Sequence, residues 1–212
     1  MKTRLVQELK RWSRAWLLRK TQHRPEVYLT FDDGPHPVGT PALLDVLRRH
    51  EVTATFFLVG TAVERFPDAV DAIVADGHLV GNHSMTHQHF ARLGSLGQWR
   101  QMRAADRALW RHDRVRRRPF RAPQGRFRPV FGLWLALRGR GPIHWSLDSG
   151  DGGFDDVDAL VNHLRENPPR PGDVLLFHDD SLATPQALER LLPEWKAAGL
   201  TFAVLPGWDS KK

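Results

Sequence analysis

An α/β fold, in which parallel strands are wrapped by helices and closed into a distorted (β/α) barrel, is the architecture this chain predicts. Short apolar runs alternate with amphipathic stretches about seven times between positions 27 and 205. The length, 212 residues, suits one such domain. No glycine-rich phosphate loop follows the first apolar run, which argues against an open dinucleotide-binding sheet.

Taken in order, residues 1–24 form a segment distinct from the domain at 25–212. Leu5, Leu9, Trp12 and Trp16 make one apolar stripe, with Val6 and Leu17 beside it. Basic residues flank the stripe and Glu8 is the only acid, so 1–20 predicts a basic amphipathic helix. Two partners suit it. One is the domain itself, the commoner fate of such helices. The other is an anionic membrane surface, with the tryptophans at headgroup level. Seven Lys and Arg residues, no uninterrupted apolar core and no small-residue cleavage site argue against a secretory signal. No apolar run approaches the ~20 residues of a membrane span. The expected location is therefore cytoplasmic, and peripheral on the inner face of the membrane where the helix takes the second of these partners.

Residues 27–31 predict strand one, and Pro41 opens a helix to 49 with Leu43, Leu44 and Leu47 on one face. Residues 53–59 predict strand two, 62–75 a helix stopped by Gly77, and 78–80 a short strand three. A helix follows at 98–112, with Met102, Ala105 and Leu109 in register. Residues 119–122 predict strand four and 143–147 strand five. A helix at 157–165 is capped by Asp155 or Asp156. Residues 173–177 predict strand six, 185–198 a helix ending at Gly199, and 201–205 strand seven.

Composition narrows the chemistry. The absence of cysteine excludes disulfides and thiolate ligands, leaving the eleven histidines, with Asp and Glu, as metal-binding candidates. The net charge of +7 favours anionic surfaces in general. No basic-aromatic stripe marks the strands, so no nucleic acid is expected. The basic run at 111–118 reads as a solvated loop.

Barrel enzymes place their chemistry at the C-terminal ends of the strands. Strand one delivers Asp32 and Asp33 ahead of Gly34 and Pro35. Adjacent carboxylates repel, and a metal or a proton relieves the repulsion. Strand three is followed by His83 and His87, four apart, a spacing that stacks two imidazoles on one face of a helical turn. Joined to a strand-end aspartate they offer two nitrogens and one oxygen with positions left open, the pattern of a catalytic Zn²⁺ site. The later strands end in Arg121-Ala122-Pro123-Gln124-Gly125, Asp148-Ser149-Gly150-Asp151 and Leu176-Phe177-His178.

This ordered set resembles the polysaccharide deacetylase (NodB-homology) family of carbohydrate esterases, from about Glu26 to Leu205. Thr30-Phe31-Asp32-Asp33-Gly34 and His83-Ser84-Met85-Thr86-His87 are its most specific motifs. The resemblance implies a distorted barrel and metal-dependent removal of acetyl groups from an acetylated carbohydrate, be it polysaccharide, oligosaccharide or lipid-linked glycan. It implies that Asp33, His83 and His87 bind one divalent metal, with Zn²⁺ foremost. Asp32 would be the general base and His178 the general acid. Arg121 would orient Asp32, Asp148 would tune His178, and a backbone N–H in the Pro123–Gln124 turn would meet the oxyanion. The chain departs from the family at Gln124, where an aromatic is usual, and at Gly152, where an aromatic often walls the acetyl methyl. Trp145 and Phe154 are the neighbouring substitutes. The same set would serve an O-acetyl ester or another C–N bond. A non-catalytic glycan-binding relative would lack the base, a ligand or the acid, and none is missing here.

Overall fold

The computed structural model describes residues 24–208 apart from positions 141 and 155. The helix expected over 1–20 lies outside the described residues, as does Asp155.

Six parallel strands form the sheet: β1 (Glu26–Asp32), β2 (Thr55–Leu58), β3 (Leu79–Asn82), β4 (Leu147–Asp148), β5 (Val174–His178) and β6 (Thr201–Phe202). Their order is β3-β2-β1-β5-β4, and β6 pairs with the first residues of β1. The sheet curves into an open, barrel-like wall. Where a fourth strand was expected at 119–122, only Phe120 bridges, to Asn82 on one side and Pro142 on the other. Pro119, Pro123 and Pro142 lack the N–H that a ladder needs, so pairing cannot extend. The strand expected at 143–147 is likewise reduced to Leu147–Asp148.

The helices α1 (Gly39–Arg49), α2 (Gly60–Arg65), α3 (Pro67–Ala75), α4 (Ser95–Asp113), α5 (Pro129–Leu137), α6 (Val157–Glu166) and α7 (Ala183–Ala197) connect these strands. The single helix expected over 62–75 is two, because Pro67 pushes Phe66 out of the helical region, to φ −130 and ψ 60. Helix α5 was not anticipated. Its sequence, PVFGLWLAL, is apolar all round and carries no amphipathic period to read. Asp156 caps α6 by accepting from the N–H groups of Asp158 and Ala159.

Strand β1 organises the core by its two-residue period. Val27, Leu29 and Phe31 face the main apolar cluster under the helices, with Phe56, Leu58, Leu175 and Phe177. The alternate residues Tyr28, Thr30 and Asp32 face the other way, and Tyr28 packs with Phe57, Ile143 and Val174. That interior face turns polar toward the C-terminal strand ends, where Thr30 and Asp32 are both buried.

Two glycines are forced by close approach to Asp179, which follows β5. A Cβ at Gly34 would lie 2.1 Å from the Asp179 carboxylate, and one at Gly39 would lie 2.0 Å from its backbone carbonyl oxygen. Backbone cannot yield as a side-chain tip can. Gly39→Ala should therefore destabilise the fold by about 1–3 kcal/mol in chemical denaturation. Gly153→Ala, where a Cβ meets nothing within 4 Å, should cost much less.

Candidate active site

The C-terminal ends of β1, β3 and β5 converge on one rim. Asp32 ends β1 and is the register partner of His178 on β5. Asp33 leaves the strand with φ 77, so its carboxylate departs from the strand's alternation. It turns toward the loop after β3, where its Oδ1 lies 3.4 Å from His83 Nε2 and 3.0 Å from His87 Nε2. One ligand atom from each of Asp33, His83 and His87 falls within 4.8 Å of the other two. The two imidazoles are 5.0 Å apart, centroid to centroid. They do not share a helical turn as their spacing suggested. Ser84 and His87 both adopt positive φ, 73 and 49, and an irregular loop brings the rings together.

The donor set fits a divalent cation. His83 Nδ1 lies 2.9 Å from the carbonyl oxygen of Arg121, which can only accept. The proton therefore sits on Nδ1, and Nε2 presents its lone pair to Asp33. Burial lowers the His83 pKa to about 3, so this imidazole stays neutral and available as a ligand. Asp33 Oδ1 is buried and accepts no hydrogen bond, a deficit that a cation would remove.

Arg121 is fully buried and ties the site together. Its Nη1 donates to Asp32 Oδ1 (2.7 Å) and Thr30 Oγ1 (2.8 Å), and its Nη2 donates to the His144 carbonyl (3.2 Å). Its guanidinium carbon stands 4.2 Å above the Phe57 ring. Burial pushes the Asp32 carboxyl above the usual aspartate range, against the pull of Arg121. Asp32 Oδ2, the oxygen Arg121 does not take, lies 3.6 Å from His83 Nε2.

The carboxylate behind His178 is Asp151, not Asp148. Asp151 Oδ1 is 2.8 Å from His178 Nδ1, and its Oδ2 accepts from the His178 N–H (2.7 Å) and Thr184 Oγ1 (2.7 Å). Asp148 is exposed at the end of β4 and accepts from the Gly150 N–H at 3.1 Å. The strand stops there, and Gly150, at φ 68, folds the chain back so that Asp151 is the residue carried beneath β5. Both acids belong to one motif, and only this turn separates their roles. Thr184 also went unnoticed, since nothing in its sequence neighbourhood ties it to His178. The Asp151 hydrogen bond, opposed by burial, raises the His178 pKa to about 9.

Pro123 and Gln124 lie in a short 3₁₀ turn, Pro123–Gly125, directly after Arg121, with Gln124 exposed at φ 52. Of the two aromatics that could stand in at Gly152, Phe154 packs on His163 and the helix-side core. Trp145 lies beside the turn, 3.1 Å from a Cβ built at Gly125, and 5.6 Å from the Arg121 guanidinium carbon.

The His178–Asp151 pair carries a pH signature. The folded His178 value stands above the ordinary 6.5, so the charged pair stabilises the fold fully below that value. That contribution fades as pH rises through about 9. Asp151→Asn should return the His178 pKa toward the ordinary range in an NMR titration of its ring protons. Asp148→Asn should leave it nearly unchanged.

The likeness to known proteins spans this whole frame. Residues 19–133 match the polysaccharide deacetylase family. A chitooligosaccharide deacetylase from Sinorhizobium fredii (strain NBRC 101917 / NGR234) is 38% identical over 196 residues, 86% of this chain and 91% of that protein. The crystal structure of a peptidoglycan N-acetylglucosamine deacetylase superposes with a TM-score of 0.83 at 31% identity, covering 90% of both chains. A CE4 family pseudoenzyme from Bacillus anthracis superposes with a TM-score of 0.80 at 27% identity, covering 89% of this chain and 66% of the other. Sequence and structure agree, and this chain belongs to the polysaccharide deacetylase family.

Proposed function

We propose that the chain is a metal-dependent deacetylase that hydrolyses the N-acetyl group of an amino sugar in an oligosaccharide or polysaccharide. The observation that carries this reading is the register pairing of Asp32 with His178 beside the Asp33–His83–His87 cluster. It puts a candidate base and a candidate acid on neighbouring strands at one cation-binding rim. The chitooligosaccharide and peptidoglycan deacetylases similar to this chain support the amino-sugar substrate.

Asp33, His83 and His87 would hold the metal, and an open mixed N/O site of this kind favours Zn²⁺. When bound, such an ion polarises the acetyl carbonyl and acidifies the attacking water. Asp32 takes the proton of that water. Arg121 occupies its Oδ1 and so leaves Oδ2 aimed into the site. A raised carboxyl pKa suits a base, because it brings the acceptor nearer to working pH. Of the Pro123–Gly125 turn, the Gln124 N–H would meet the oxygen that gains charge, since Pro123 has no N–H and that of Gly125 donates to the Ala122 carbonyl (2.8 Å). His178, held protonated by Asp151, delivers its proton to the leaving nitrogen as the C–N bond breaks. Acetate and a free amine result. Trp145 provides apolar surface near the acetyl methyl in place of an aromatic at position 152. The basic stripe at 1–20 supports a peripheral place on an anionic membrane face, and with it a lipid-linked glycan among the substrates.

Acetate release from N-acetylated chitooligosaccharides, peptidoglycan fragments and O-acetylated sugars tests this reading. N-acetyl substrates should be cleaved by the Zn²⁺-loaded protein, and a chelator should abolish release until Zn²⁺ is restored. Asp32→Asn and His178→Ala should each lower kcat by about 10²–10⁴ with metal still bound. A loss below about tenfold at either position would contradict the assigned roles.

A further inference from the structure

Charge is distributed very unevenly along the folded chain. Between His83 and Leu147 there are fourteen arginines, two aspartates, and no lysine or glutamate. Both aspartates are already engaged, Asp106 by Arg140 and Asp113 by Arg118. The remaining arginines of α4, α5 and their flanks include exposed Arg100, Arg103, Arg126, Arg128 and Arg138.

The same region carries the largest run of exposed apolar side chains among the described residues. On α5, Val130, Leu133 and Leu137 recur at helical spacing on one face, with 68%, 56% and 78% of their surface exposed. Phe131 and Leu135 on the opposite face are buried. Leu96 and Trp99 add exposed apolar surface at the start of α4. The two helices are joined at that point: the Arg128 N–H donates to Gln98 Oε1 (3.1 Å) and Arg128 Nε donates to the Leu93 carbonyl (2.8 Å). Exposed apolar side chains and exposed arginines thus lie together on two helices that are joined to each other.

We propose that α5, with the start of α4, is a docking face for an anionic phospholipid bilayer. The chemistry selects this occupant over three others. A nucleic acid or acidic glycan would pair with the arginines and leave Val130, Leu133 and Leu137 in water. A second copy would set arginine against arginine. The chain's own residues 1–20 are themselves basic, so charge opposes their seating here. A bilayer takes both features at once: aliphatic side chains enter the interface, and guanidinium groups meet lipid phosphate. Only residues 126–128 separate α5 from the Pro123–Gly125 turn, so the docking face adjoins the rim of the site.

The test uses the full chain and vesicles of phosphatidylcholine, with and without phosphatidylglycerol. Leu133→Glu/Leu137→Glu alters two exposed side chains away from the site, so folding and acetate release from a soluble chitooligosaccharide should be retained. Wild type should cosediment with the phosphatidylglycerol vesicles and not with phosphatidylcholine alone, and the double variant should bind at least about tenfold more weakly. Undiminished binding by the double variant would overturn the proposal and leave residues 1–20 as the anchor. Absence of wild-type binding, or equal binding to both vesicle types, would also overturn it. So would a wild-type dimer that the double variant dissociates, since that outcome makes the face a contact between copies.

Discussion

The buried pair of Asp32 and Arg121 is the constraint on which the site depends. Both side chains are removed from water, and neither could be left alone there. Removing one partner of such a pair typically costs about 3–5 kcal/mol, because the other charge stays buried and uncompensated. Thr30, the His144 carbonyl and the face of Phe57 are further contacts of the guanidinium. The backbone of the same residue reaches the metal side: its carbonyl takes His83 Nδ1, and its N–H donates to the Asn82 carbonyl. One position thereby fixes the proposed base and the tautomer of a proposed ligand. This explains how a segment too rich in proline to form a strand still holds its place in the barrel wall.

The rest of the rim is built by departures from regular structure. Six non-glycine residues among those described have positive φ, and Asp33, Ser84, His87 and Gln124 are four of them. All four lie in loops that shape the site. Backbone strain of this kind persists only where the surroundings over-determine it. Here Ser84 is held by Asn82, whose Oδ1 accepts its N–H at 2.8 Å, and Asn82 Nδ2 in turn donates to Asp106 and to the Met102 carbonyl. Asp106 is also the partner of Arg140. The histidine loop is thus fastened to α4, and the charge pairs beneath the basic face support the site as well as that face.

Much of this was legible in the sequence, and the gaps have physical causes. Strand β1 could be read because a short apolar run ends in Asp-Asp-Gly, and β5 because a continuous apolar run ends at His178. That His83 and His87 would meet a strand-end aspartate followed from residue type, and that the aspartate is Asp33 came from the family resemblance; the loop geometry joining the histidines was visible in neither. Helix α5 was illegible because burial on one face and exposure on the other leave no mark when every residue is apolar. The partner of His178 was misread as Asp148 because a two-residue strand and a left-handed glycine decide which acid returns, and neither is visible as a pattern. A fourth strand was expected over 119–122, but Pro119, Pro123 and Pro142 forbid a ladder there.

The account makes Arg121 more than a positive charge: its fork must hold Thr30, Asp32 and the His144 carbonyl together for Asp32 to work as a base. Lysine at this position keeps a cation but has no planar fork. The most direct test is the turnover and Zn²⁺ content of Arg121→Lys, on N-acetylated chitooligosaccharide. The account predicts that metal content is kept, since the His83 contact is to backbone, and that kcat falls by about 10² or more. A variant that binds metal and turns over within threefold of wild type would contradict it.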